Sequence, residues 1–216
     1  MGLAREGVEK PGEAERVKVK NWMQRDLVTV EPDTLLNEAV KLMHQHSIRH
    51  LPVVEGKEMV GFVTESNLRQ YFYHKDKDRL KVSDVMIVNP ITVNPNTSID
   101  SAARRIYDYK IGGLPVLEKR ELVGIITIAD ILAAFIEFIG LLKETSRIDV
   151  ILSEKDGNLD DVLKLIREMG GKVVSVGMEA RSYKKKVYYI RLEKTDVFPI
   201  AERLQELGHK IVSILE

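Results

Sequence analysis

The sequence predicts an α/β (α+β) protein in which two related units precede a smaller third one, and three observations predict it. Sliding the chain on itself by 63 positions aligns Val19–Phe72 with Val82–Phe135 without a gap. Within each copy, short β-rich apolar runs alternate with stretches of helical periodicity. After residue 145 that alternation takes a different order, β-α-β-β-α-β.

The repeat is dense in matched residues. Met23 meets Met86, Pro32 meets Pro95, Thr29-Val30 meets Thr92-Val93, Ala39 meets Ala102 and Ile48 meets Ile111. Leu51-Pro52-Val53 meets Leu114-Pro115-Val116, Val60-Gly61 meets Val123-Gly124, and Thr64 meets Thr127. In copy one the run Leu27–Val30 reads as a strand, and Leu35, Leu36, Ala39, Val40, Leu42 and Met43 fall at helical spacing. Leu51–Val54 and Met59–Val63 read as two strands joined by the turn Glu55-Gly56-Lys57, with a second helix from about Ser66. Asp33-Thr34 and Asn96-Thr97 stand where they can supply cap oxygens to the first helix of each copy. One unit of about 55 residues buries little apolar surface, so two related by a pseudo-twofold axis are expected to share a core and to create two equivalent clefts.

The last 70 residues begin with the strand Ile148–Leu152. Leu159, Val162, Leu163, Ile166 and Met169 then mark an amphipathic helix closed by Gly170-Gly171. Strands Val173–Met178 and Val187–Leu192 follow, then a helix through Ile200, Ala201, Leu204 and Leu207, Gly208, and the strand Ile211–Leu215. This order is that of a ferredoxin-like sandwich. Lys184-Lys185-Lys186 falls at the tip of a predicted hairpin and reads as solvated surface.

Composition narrows the function classes. Lys plus Arg and Asp plus Glu balance at 33 each, so no overall field favours nucleic acid or an anionic membrane. The chain has no cysteine, which removes disulfides, thiolate nucleophiles and Cys-ligated zinc, and a cytoplasmic location is expected. Residues 1–18 are charged, lack the apolar core of a signal peptide and are expected to form a disordered lead-in. The most apolar stretch, Ile131–Leu142, is too short for the roughly 20 residues of a membrane span and reads as a buried helix. Being apolar nearly all round, it must be covered by the rest of the chain or by a second copy, so a homodimer is expected.

The junction from strand to helix carries the chemistry. It reads Gly61-Phe62-Val63-Thr64-Glu65-Ser66-Asn67 in copy one and Gly124-Ile125-Ile126-Thr127-Ile128-Ala129-Asp130 in copy two. A carboxylate such as Asp130 can accept hydrogen bonds from two vicinal hydroxyls of a ribose, and helix N-termini suit phosphate. The same residues can equally serve as a helix cap. His44, His46 and His50 invite a metal, but residues two apart on a helix do not share a face, and no metal site is expected.

With their Leu-Pro-Val and Gly-h-h-Thr-x-x-Asp signatures, the paired units over residues 19–140 resemble a tandem pair of CBS motifs, a Bateman module, with copies at 19–72 and 82–135. The resemblance implies a regulatory module that binds AMP, ADP, ATP or S-adenosylmethionine, with no catalysis and no catalytic cofactor. Carried over, it places Val28, Ile48, Arg49 and His50 opposite Ile125, Thr127 and Asp130 in one cleft, the apolar members around adenine and the two basic ones towards phosphate. The companion cleft has Phe62, Thr64 and Asn67 with Ile91, Ile111 and Gly112, and Asn67 in place of the aspartate implies weaker ribose binding. Residues 146–216, with the loop Asp156-Gly157-Asn158, resemble an ACT-like domain, although Asp156 stands where such domains commonly carry proline. The combination is similar to the acetoin-utilisation B-type regulatory proteins.

These readings leave three function classes. The first is an adenine-nucleotide sensor that couples binding to dimer shape or to affinity for an unidentified enzyme or transporter. The second is a constitutive dimerisation scaffold or an amino-acid sensor acting through the ACT-like domain. A catalytic protein is the third, and the sequence offers it no nucleophile and base pair, phosphate loop or metal-ligand set.

Overall fold

The computed structural model describes residues 17–71, 79–153, 157–182 and 185–216. Its chain divides into two units, Met1–Ala134 and Phe135–Glu216.

In copy one, helix α1 (Leu36–Gln45) turns Leu36, Ala39 and Met43 inward, the spacing read from the sequence. Strands β1 (His50–Glu55) and β2 (Glu58–Thr64) form a two-residue hairpin in which Gly56 takes φ +63°. A single helical turn, α2 (Glu65–Leu68), and the 3-10 turn Arg69–Tyr71 follow. Copy two repeats the plan with α3 (Ile99–Tyr109), β3 (Gly113–Glu118), β4 (Glu121–Thr127) and α4 (Ile128–Ile139). The two hairpins form one antiparallel sheet of order β1-β2-β4-β3, joined across the middle where Glu58 of β2 pairs with Glu121 of β4.

Three local expectations are corrected. The strand expected at Leu27–Val30 is reduced to one parallel bridge, Val30 to Val53. Thr34 and Thr97 do not cap their helices, because each hydroxyl accepts from the N–H of Glu31 or Asn94 at 3.1 Å and closes the turn around the preceding proline. Ser98 caps α3 instead, whereas Leu35 at the start of α1 offers no side-chain cap. The third correction is in α4, which buries Ile131 and Ala134 but, among the described residues, leaves Ile128, Leu132 and Ile139 exposed, so the expected buried helix is buried on one side.

The copies exchange their leading segments. Residues 80–87, where copy two begins, pack on copy one, where Val82 and Val85 join the core of Val30, Leu36, Leu51, Val53 and Leu68. The amide of Leu36 donates to Leu80 O at 2.8 Å, and Val82 N–H donates to Thr34 O at 2.8 Å. The segment ahead of copy one does the same to copy two, with Ile99 N–H on Val17 O at 2.8 Å and Val19 N–H on Thr97 O at 2.9 Å. The paired glycines of the repeat follow from this exchange. A Cβ on Gly61 would lie 2.3 Å from Met86 Sδ, and one on Gly124 would lie 2.6 Å from Met23 Sδ.

The second unit has the predicted order: β5 (Thr145–Ile151), α5 (Leu159–Glu168), β6 (Val173–Ser182), β7 (Lys185–Glu193), α6 (Phe198–Glu206) and β8 (Lys210–Leu215). Its antiparallel sheet runs β6-β7-β5-β8, a ferredoxin-like arrangement. Ile148 and Val150 of β5 pack with Ile190 and Leu192 of β7 against Val162, Ile166, Ile200 and Leu204 of the helices. Arg147 and the nearly buried Asp149 pair side by side on β5 at 2.9 Å. Asp156 and Lys184 lie outside the described residues. Asn158 caps α5 by accepting from Asp160 N–H at 2.9 Å.

Candidate functional site

The end of β4 and the first turn of α4 fix Thr127 and Asp130. Asp130 Oδ2 accepts from the Thr127 amide at 2.8 Å and from its hydroxyl at 2.7 Å, while Oδ1 accepts from Gln24 Nε2 at 2.8 Å. The carboxylate therefore is a cap, as one reading of the sequence had it, yet it remains only half-buried with Oδ1 held by an exposed amide. This hydrogen bond has a charged acceptor but is exposed to water that competes for both partners, so the amide can be exchanged for a ligand hydroxyl.

The companion junction is built alike with one change of sign. Asn67 Oδ1 accepts from the Thr64 amide at 2.5 Å and its hydroxyl at 2.9 Å, and the Asn67 amide returns a bond to Thr64 Oγ1 at 3.1 Å. Asn67 Nδ2 donates to Val85 O at 2.9 Å. A carboxylate at 67 would set two acceptors against each other there, whereas at 130 the neighbour is a donor. Each residue matches what the leading segment presents to it.

Those segments also define the clefts. Gln24 exchanges two backbone hydrogen bonds with Ile125, at 2.9 and 3.0 Å, and Val30 then joins β1. Residues 24–30 thus cross from β4 to β1, carrying Val28, which packs with Ile48 on the core of copy one. The counterpart crosses from Phe62, bridged to Ile87, to Val116, bridged to Val93, and carries Ile91. Ile91 also borders a surface groove of about 410 Å³ beside Arg105 and Tyr109. Arg49 is exposed, and its carbonyl accepts from the Glu65 amide at 2.9 Å, as the Gly112 carbonyl accepts from Ile128 at 3.1 Å. Ile111 is half-buried beside them.

His50 points where the sequence did not indicate. Its ring stacks on Phe62 with centroids 5.8 Å apart and planes 16° from parallel, and its Nε2 edge covers Gly112, where a Cβ would stand 2.9 Å away. The structure brings His50 to two residues of the companion cleft. Burial, and then the Arg49 guanidinium beside it, hold its pKa below the usual 6.5, so the ring is neutral near pH 7. Gln24 was missed by the sequence reading. The glycines at 61 and 124, which mark where the leading segments approach, are the signal that could have found it. Among the described residues no three His, Cys, Asp or Glu side chains gather as a metal site, and no helix is long and apolar enough to cross a membrane.

Known proteins share this arrangement. The CBS domain profile matches residues 19–74 and 82–137. Inosine-5′-monophosphate dehydrogenase of Korarchaeum cryptofilum is 38% identical over 115 residues, which are 53% of this chain but 23% of that enzyme, so the chain spans under a quarter of its length. A Vibrio cholerae protein named for acetoin utilization is 31% identical in its solved structure, with a TM-score of 0.53 over 58% of this chain and 94% of that one. A CBS domain pair solved with 5′-methylthioadenosine and S-adenosyl-L-methionine is 29% identical, with a TM-score of 0.50 over 55% of this chain and 94% of that one. Another structure, solved with AMP, is 26% identical, with a TM-score of 0.50 over 56% of this chain and 97% of its own. Matched along both halves of its repeat, over slightly more than half its length, the chain belongs to the CBS domain family.

Proposed function

We propose that this chain is a regulatory sensor of an adenosine compound, AMP, ADP, ATP or S-adenosylmethionine, held in the cleft of Thr127 and Asp130. The observation that carries the reading is the Asp130 carboxylate, fixed by Thr127 through one oxygen and bonded through the other to an exposed amide, Gln24. A ribose diol takes the place of that amide on Oδ1, while Val28, Ile48 and Ile125 flank adenine and Arg49 reaches the phosphate from the surface. Two similar structures solved with AMP and with S-adenosyl-L-methionine support this ligand class.

Binding in the cleft tethers the 24–30 segment to α4, and the exposed Ile128, Leu132 and Ile139 of that helix suit a homodimer whose shape the ligand alters. The second unit, residues 146–216, acts in this reading as an ACT-like regulatory domain. Calorimetry with AMP, ADP, ATP and S-adenosylmethionine tests the proposal. Binding by at least one, lost at least tenfold in Asp130→Ala, is expected. No binding by any of them, or an Asp130→Ala variant that binds as the parent does, overturns it.

A further inference from the structure

The repeat departs from symmetry beside its two clefts. Arg49 and His50 stand at the start of β1, and the 63-residue offset puts Gly112 and Gly113 at the matching place before β3. Backbone geometry there is equivalent in both copies, since Glu65 N–H donates to Arg49 O as Ile128 N–H donates to Gly112 O. What differs is the side chain. The imidazole of His50 lies parallel to the Phe62 ring at 5.8 Å, and its Nε2 and Cε1 stand 2.9 and 3.1 Å from where a Gly112 Cβ would be. A flat ring set parallel to an aromatic ring, with its edge against glycine, takes the place that the ring of a purine would need there.

We propose that His50 is a built-in plug of the companion cleft, occupying the aromatic face of Phe62 so that one chain takes up one nucleotide and not two. Two features keep the plug in place. Glycine at 112 leaves room that any side chain would remove, and Asn67, already committed to Thr64 and to Val85 O, offers a competing ribose no carboxylate. The inference rests on the sensor reading above and adds to it the number of sites and the residue that sets it. A ligand reaching the companion cleft must first turn His50 away from Phe62, which makes the two clefts unequal by construction.

The test counts AMP bound at saturation by equilibrium dialysis on the full chain. The parent is expected to bind one AMP per chain, His50→Ala two, and Asp130→Ala none. The double variant His50→Ala with Asp130→Ala is expected to bind one, now in the companion cleft. Circular dichroism checks that each variant is folded, and His50→Ser serves if His50→Ala is not. Two AMP per parent chain, or one in both the parent and His50→Ala, overturns the plug and leaves the sensor reading intact. A parent that binds none while His50→Ala binds one supports the plug and overturns the Asp130 site. Absence of AMP binding in every variant overturns the plug, and overturns the sensor reading as well if ADP, ATP and S-adenosylmethionine are not bound either.

Discussion

Asp130→Asn and Asp130→Ala should behave differently in stability while losing ligand alike, and the companion copy shows why. Asp130→Ala removes two hydrogen bonds accepted at the start of α4 and one from Gln24. Replacing a cap by alanine costs about 0.5–2 kcal/mol, and because the site is half-exposed the lower half of that range, about 1 kcal/mol, is expected. Such a loss lowers Tm by about 3–6 °C for a unit of this size. Asp130→Asn keeps an oxygen for Thr127, as Asn67 does for Thr64, and the exposed Gln24 can turn its carboxamide oxygen towards the new Nδ2, so its Tm should stay within about 1 °C of the parent. Scanning calorimetry without ligand measures both. A loss in Asp130→Asn as large as in Asp130→Ala, or no loss in either, would refute the reading that the two junctions share one local design.

Gly124→Ala should destabilise by about 1–3 kcal/mol in urea unfolding, since its Cβ would meet Met23 Sδ at 2.6 Å and Gln24 O at 3.0 Å. Adding Met23→Ala should recover part of that loss, and strict additivity would show that the contact is not its cause. His209 Nδ1 accepts from the Ser153 amide at 3.1 Å, and burial holds its pKa below 6.5. A depressed histidine pKa means that the unfolded chain takes up the proton first. The contribution to stability is therefore full above pH 6.5 and is lost as pH falls from there through the folded value. The urea midpoint should decline between pH 7 and 5, and less so in His209→Gln; an unchanged slope in that variant would count against the assignment.

Much of this fold was legible because the repeat states it twice. The hairpin at Gly56, the inward face of α1 and the order of the second unit all follow from local spacing. Leu27–Val30 was misread as a strand because an apolar run carries no record of its partner; these residues cross between β4 and β1 and touch the latter at one bridge. Thr34 and Thr97 have the chemistry of a cap, but a nearer amide takes their oxygens. In the candidate site, Thr127 and Asp130 could be named from their spacing, whereas Gln24 lies 106 residues from its partner. The direction of His50 was equally hidden, since it depends on the space that Gly112 leaves.

The exchanged leading segments bear on how such a chain is made and how it arose. During synthesis, copy one emerges before residues 80–87 that complete its core, and residues 17–24 must wait for partners at 95–99 and at Ile125, about 75 to 100 residues later. Neither half can close on its own leading segment, so the pair is expected to reach its native state in one late cooperative step. The same arithmetic applies to an ancestor with a single copy. Its leading segment would have had no lobe of its own to cover, and two molecules would have had to lend each other that strip before gene duplication joined them in one chain.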